Sequence, residues 1–198
     1  MNVEMFKSVE DIRGKLLGAG SEKCCYLSKN DNSRCIKISS KHRCSQIKRE
    51  IKYFKFLSDR HIDASFIPKF YGVIELEDFI GYEQECFLDK KHGGVYDEVW
   101  SLWDFVEDGC NDEKLILEEL YQLKFEMLSK NIICSDLHGG NIFRVVQDSR
   151  SRLVVIDGYG APEFIPVCKY FKFLGNKKIE RQWDKFMSRL EVSFKKRM

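Results

Sequence analysis

The sequence predicts an α+β protein: a small antiparallel sheet with one helix comes first, and a mainly helical region follows. Two observations carry this. The first ninety or so residues alternate short extended runs with Gly, Asn, Asp and Ser turns, interrupted once by a helical period. Later apolar residues recur at helical spacing, between Asn111 and Lys130 and again over the last forty residues. At 198 residues the chain suits one domain or two small lobes around one cleft. The boundary between the lobes is placed at 88/89, giving 1–88 and 89–198.

In order, "KLLGAGSEKCCYL" has an apolar start, a glycine turn and a second extended run, and "NDNS" turns the chain into the strand "RCIKI". From Arg43 to Arg60 the pattern becomes helical, with Ile47, Ile51, Phe54 and Leu57 or Ser58 on one face. Pro68 closes the connection to two more extended runs, "KFYGVIEL" and "FIGYEQECFLD". A short helix is predicted at "DEVWSLWDFVE" and a longer one from Asn111 to Lys130. The longer one carries Leu115, Leu120, Leu123 and Met127 and is capped by Asn111 or Asp112. The segment "NIFRVV", the turn "QDSRSR" and "LVVID" read as a hairpin. The terminal helix presents Ile179, Trp183, Phe186, Met187, Leu190 and Phe194 on one face.

Composition narrows the function classes. A hydrophobic fraction of 43% and 15 phenylalanines supply a core, and three prolines without a low-complexity tract argue against disorder. No apolar run reaches signal-peptide or membrane-spanning length, so a soluble, cytoplasmic protein is expected. The eight cysteines lack paired zinc-type intervals and read as reduced thiols. Cys134 and His138 have a ligand-like spacing, but two candidates do not make a metal site. Net charge is only +2, yet residues 75–113 hold thirteen Asp or Glu against Lys90 and Lys91, while Lys177–Met198 holds eight Lys or Arg against three acids. No nucleic-acid reading motif accompanies the positive charge, so nucleic acid is not expected as a partner.

Several polar residues break these patterns. Glu50 falls three after Ile47 and four before Phe54, on the apolar face of its helix, where a carboxylate must find a cation. Lys37 is a lone charge between Ile36 and Ile38, so strand alternation turns it to the face opposite theirs, and pairing with Glu50 would resolve both anomalies. The turn "LGAGS" offers backbone N–H groups to an anion through Gly18, Gly20 and Ser21, although Gly-Xaa-Gly is also a plain hairpin. Asp157 ends the strand "LVVID", and Asn141 starts its hairpin partner; together their oxygens suit a hard cation such as magnesium. "SDLHGGNIF" could be an ordinary polar turn between strands, because Gly and Asn are ordinary turn residues.

In chain order these features form a glycine loop, a strand lysine, a helix glutamate, Asp-Xaa4-Asn and a strand-end aspartate. That order resembles the protein-kinase-like superfamily, and "SDLHGGNIF" is similar to the catalytic loop of its aminoglycoside phosphotransferase and lipopolysaccharide kinase branches. More narrowly, "LGAGSEKCCY", "RCIKI", "REIKYF" and "VCKYFKFLGNKKIERQWDKF" resemble the small bacterial YrbL-like, or PhoP regulatory network, family across nearly the whole chain. The resemblance implies a two-lobed minimal kinase-like fold with a truncated, mainly helical C-terminal lobe, and ATP and Mg2+ as cofactors. It implies that Lys37 holds the α- and β-phosphates and Glu50 holds Lys37. Gly18, Gly20 and Ser21 cover the phosphates, while Cys86, Phe87 and Leu88 form the hinge that meets adenine. Asp136 orients the acceptor hydroxyl and receives its proton, His138 reaches the γ-phosphate or braces the loop, and Asn141 and Asp157 bind magnesium.

The departures are specific. Lys23 stands where the phosphate loop would have its third glycine, Cys134-Ser135 replaces His-Arg before Asp136, and Gly158-Tyr159 follows Asp157. Only forty-one residues remain after Asp157, too few for a full helical lobe with a long activation segment. Two functions are therefore expected as alternatives: a minimal magnesium-ATP phosphotransferase acting on a hydroxyl acceptor, or a kinase-like regulatory module that binds nucleotide or none. The acidic segment favours a cationic peptide or small molecule as acceptor, or is only a solvated face. The basic terminal helix, with Trp183 and Phe186 on its stripe, either packs onto its lobe, the preferred reading, or lies on an anionic membrane.

Overall fold

The computed structural model describes residues 8–107, 113–160 and 167–195. The chain divides into two compact units, one of Met1–Phe56 with Pro68–Tyr96 and the other of Leu57–Ile67 with Asp97–Met198. The first unit runs on past residue 88 because Tyr96 folds back on the chain between Leu88 and Lys90. Lys90 N–H donates to Tyr96 O at 2.8 Å, and Tyr96 N–H donates to Leu88 O at 3.2 Å.

The first unit is an antiparallel five-stranded sheet in the order β1-β2-β3-β5-β4. Its strands are β1 (Arg13–Ala19), β2 (Cys24–Ser28), β3 (Arg34–Ser40), β4 (Phe70–Glu75) and β5 (Phe79–Glu85), with helix α1 (Ser45–Asp59) between β3 and β4. Strand alternation sorts its two faces. Ile36 and Ile38 join Ile12, Ile74 and Leu76 in one apolar cluster. The other face carries Phe70 and Tyr82, on which Phe54 of α1 packs with ring centroids 5.0 and 5.5 Å away. The predicted helical face is buried at Ile47, Ile51, Phe54 and Leu57, while Ser58 is exposed.

The start of α1 is held by a side chain from the β1–β2 turn. Glu22 accepts from Gln46 N–H at 3.1 Å and from the Ser45 hydroxyl at 3.0 and 3.1 Å, a carboxylate at a helix N-terminus. The Gln46 amide first, and the Ser45 hydroxyl second, hold the Glu22 carboxyl below its ordinary value. A depressed folded-state pKa adds stability that is present above the unfolded value and is lost as pH falls through the folded one. Urea midpoints should therefore drop more between neutral pH and about pH 3 in the native chain than in Glu22→Gln. Equal slopes would mean that this cap contributes nothing.

In the second unit, strands β6 (Glu98–Ser101), β7 (Ile142–Gln147) and β8 (Arg150–Val155) form an antiparallel sheet in the order β6-β7-β8. It is accompanied by α2 (Leu102–Glu107), α3 (Glu113–Lys130), α4 (Val167–Tyr170) and α5 (Lys172–Lys195). The segment "DEVWSLWDFVE", predicted as one short helix, is a strand followed by a helix. Its first part is strand β6, because Val99 and Trp100 pair with Val145 and Arg144, and only Leu102–Glu107 is helical. Ile116 takes the buried place expected of Leu115, beside Leu120, Leu123 and Met127. The β7–β8 hairpin turns at Asp148 and Ser149, both with positive φ (50° and 61°).

Ile179, Trp183, Phe186 and Leu190 of α5 are buried, so this stripe packs within its own unit. Arg144 of β7 donates through Nε to Glu119 of α3 at 3.0 and 3.2 Å, tying sheet to helix. The predicted cap at Asn111 or Asp112, Cys110 and the side chain of Phe194 lie outside the described residues. Among the described residues, no helix is long and apolar enough to cross a membrane.

Candidate functional site

The predicted site residues fall into two sets, one in each unit. In the first unit, Glu50 is fully buried on α1, as its place on the apolar face required. Its carboxylate accepts from Lys23 Nζ at 2.8 and 2.9 Å and from the Tyr82 hydroxyl at 2.9 Å. Lys37 is buried in β3 directly opposite Tyr82 of β5 and Cys25 of β2, which puts it on the same sheet face as the ring that holds Glu50. In sequence, Lys23 reads only as a departure from a glycine. Folded, that residue is a cation for the helix carboxylate, with 11% of its side chain exposed. The signal was present: Glu50 needed an ammonium, and Lys23 lies one residue before the strand that pairs with β3.

The glycine turn is a four-residue connection closed by Gly20 N–H donating to Lys23 O at 2.8 Å. Neither Gly18 nor Gly20 has a positive φ, so the turn itself does not demand glycine. A Cβ on Gly18 would meet nothing within 4 Å, leaving backbone that an anion could approach. Ser21 is exposed beside it. In the predicted hinge, Cys86 and Phe87 are buried, Cys86 N–H donates to Ser33 O at 2.8 Å and Leu88 O accepts from Tyr96. Two of that segment's main-chain groups are thus already engaged within the unit.

In the second unit, the hairpin register places Asn141 beside Asp157. Ile142 pairs with Val155, and Ile156 N–H donates to Asn141 O at 2.8 Å. The Asn141 amide nitrogen donates back to Asp136 O at 3.0 Å and to Asp136 Oδ2 at 3.3 Å. Asp136, Asn141 and Asp157 therefore gather at one end of one hairpin. Gly158 completes the arrangement: its φ is +81°, and a Cβ there would lie 2.7 Å from Asp136 Cβ. Its carbonyl accepts from Ser135 N–H, and its own N–H donates to Asp157 Oδ1 at 2.7 Å. The spacing of Asp136 and Asn141 thus has a geometric reason, one tight loop closed by an Asn side chain.

His138 lies in the same loop. Gly140 N–H donates to His138 Nδ1 at 3.1 Å, which in the neutral ring leaves the hydrogen on Nε2, 3.7 Å from Asp136 Oδ2. Trp103 of α2 covers the loop so closely that a Cβ on Gly139 would sit 2.4 Å from its ring, and Leu102 N–H donates to Gly139 O at 3.0 Å. Sequence reasoning missed Trp103 as a loop-packing residue, because nothing in its own spacing distinguishes it from a core aromatic.

The donor set tests the magnesium expectation. Asn141 and Asp157 supply hard oxygen ligands, and the Asn141 amide hydrogens are already spent on Asp136, which directs its oxygen elsewhere. No cluster of three or more His, Cys, Asp or Glu able to hold a metal by itself occurs among the described residues. Two protein oxygens fit a magnesium ion whose other ligands are phosphates and water, not a caged ion.

The seven described cysteines are free thiols, and burial pushes the Cys134 thiol up. Cys25 donates to the Cys35 sulfur and favours its thiolate, but the bond to Cys86 and burial prevail, and the Cys35 thiol is pushed up to about 12. Both remain protonated at neutral pH and are poor ligands.

The family model described as PhoP regulatory network protein YrbL matches residues 12–191. Uncharacterized protein YrbL of Escherichia coli strain K12 is 31% identical over 181 residues, covering 87% of this chain and 83% of its own. The Shigella flexneri protein of the same description matches to the same extent.

Proposed function

The chain belongs to the YrbL family of PhoP regulatory network proteins, and from its geometry we propose that it is a cytoplasmic magnesium-ATP-dependent phosphotransferase acting on a hydroxyl acceptor. The reading takes the two units as the lobes of a minimal kinase-like fold. The observation that supports it most is the gathering of Asp136, Asn141 and Asp157 at one end of the β7–β8 hairpin.

Asn141 and Asp157 would hold magnesium, which when bound supplies positive charge against the phosphates. Lys37 holds phosphate oxygens, and Glu50 orients the cations of its sheet face. Gly18, Gly20 and Ser21 present backbone N–H groups to the same anion. The purine meets the edge of the hinge at the Cys86 carbonyl and the Leu88 amide, since Cys86 N–H and Leu88 O are engaged elsewhere. Asp136 orients the acceptor hydroxyl and takes its proton on a carboxylate oxygen, with the His138 Nε2–H group beside it. The acidic run between Glu75 and Glu113 favours a cationic acceptor, a basic peptide or a polyamine-like molecule, by steering.

A second reading, a kinase-like regulatory module with weak or no turnover, draws on one observation. Glu50 is held by a lysine from the loop that would cover the phosphates, so the loop is fastened down by its own side chain.

Magnesium-ATP binding tests the first reading. At a hundred times its dissociation constant, ligand should stabilise the fold by about 2.7 kcal/mol. That is a rise in Tm of roughly 5–11 °C for a chain of this size. Asp157→Ala and Lys37→Ala should each lose most of the rise, and no rise in the native chain at saturating magnesium-ATP would remove the reading.

A further inference from the structure

The start of the terminal helical segment carries a surface that neither reading uses. Tyr170, Phe171, Phe173 and Leu174 are 53%, 62%, 69% and 41% exposed, although Ile179, Trp183, Phe186 and Leu190 later in the same segment are buried. Between Val167 and Lys178 there are four lysines, Lys169, Lys172, Lys177 and Lys178, and no Asp or Glu. The cations stand among the rings: Lys177 Nζ lies 4.4 Å from the Phe173 centroid, and Lys169 Nζ lies 4.9 Å from that of Tyr170.

This exposure is held in place by the rest of the unit. Asn131, in the left-handed turn after α3, donates through its side-chain amide to Cys168 O at 2.9 Å and Lys169 O at 3.3 Å. Gly175 packs so tightly there that a Cβ would lie 1.8 Å from Asn131 Oδ1. The backbone is pinned on one side, and the aromatic side chains point to water on the other.

We propose that this patch is a contact surface for an anionic lipid bilayer. Aromatic and leucine side chains projecting beside lysines suit the boundary between headgroups and acyl chains, where rings enter and ammoniums stay at the phosphate level. The charge complementarity is one-sided over the whole segment. A protein partner is the poorer match, because lysine is depleted from protein–protein interfaces whereas the rings here are interleaved with it. The proposal is independent of nucleotide chemistry.

Sedimentation of the full chain with vesicles tests it. The chain should pellet with phosphatidylglycerol vesicles, stay in solution with phosphatidylcholine vesicles, and detach as salt is raised. Phe171→Ser with Phe173→Ser should weaken binding at least about tenfold. Each of Lys172→Glu and Lys177→Glu should weaken it roughly fivefold or more. Since all four side chains are exposed, the variants should melt with the native chain, so lost binding is not lost folding. Failure to pellet with phosphatidylglycerol, equal pelleting with phosphatidylcholine, or undiminished binding by the double phenylalanine variant would overturn the proposal. Self-association without lipid that the same variant abolishes would also overturn it and give the patch to a second copy of the chain.

Discussion

Replacing Lys23 by methionine should lower the unfolding free energy by about 3–5 kcal/mol, because it takes from the buried Glu50 carboxylate an ammonium bonded to both of its oxygens. The geometry makes the effect large. Glu50 has no solvent exposure, and both its oxygens take Lys23 Nζ within 2.9 Å. Tyr82→Phe removes a further hydrogen bond to the carboxylate and should cost less, about 1.5–3 kcal/mol. A cycle of Lys23→Met, Glu50→Gln and the double variant, read by urea unfolding, isolates the pair: the double should cost less than the summed singles by about 1–3 kcal/mol. Singles that add within about 0.5 kcal/mol would show that the two charges do not stabilise one another.

That pair also marks where the sequence stopped being readable. The burial of Glu50 followed from its place among Ile47, Ile51 and Phe54, since helical periodicity alone fixes which way a residue points. That Lys23 supplies a cation to it did not follow, because a turn residue has no period. The sheet was legible for the same reason as the helix face: Ile36 and Ile38 alternate with Lys37, and the structure keeps them in the apolar cluster with Ile12 and Ile74. The hairpin of β7 and β8 was legible too, and with it the closeness of Asn141 to Asp157, because two short strands joined by a tight turn leave one register. Strand β6 was not. Its pairing partner lies more than forty residues later, so local propensity read "EVWS" as part of a helix while the long-range ladder with β7 decided otherwise. Trp103 was hidden for a related reason: its role is set by the close approach of Gly139, a distance no spacing encodes.

Asp136→Asn should keep the stabilisation by magnesium-ATP and lose phosphoryl transfer by a factor on the order of 10²–10⁴. The separation follows from how the loop is built. Asn141 is positioned by the Asp136 carbonyl as well as by its side chain, at 3.0 and 3.3 Å, so an amide at 136 still offers oxygens to the Asn141 nitrogen. Gly158 backs the Asp136 backbone closely whatever the side chain carries. An amide has the shape of the carboxylate but no lone proton-accepting charge, so only the step that needs a base is removed. The Asp136 side chain is 67% exposed, open to an incoming hydroxyl. Labelled phosphate from ATP, counted on a serine-bearing basic peptide and as phosphate released to water, reads the transfer, and a thermal melt with magnesium-ATP reads binding on the same samples. Native-like transfer by Asp136→Asn would remove Asp136 as the base. Loss of both signals together would make it a residue that positions Asn141 instead, and intact binding with no transfer in the native chain would favour the regulatory reading.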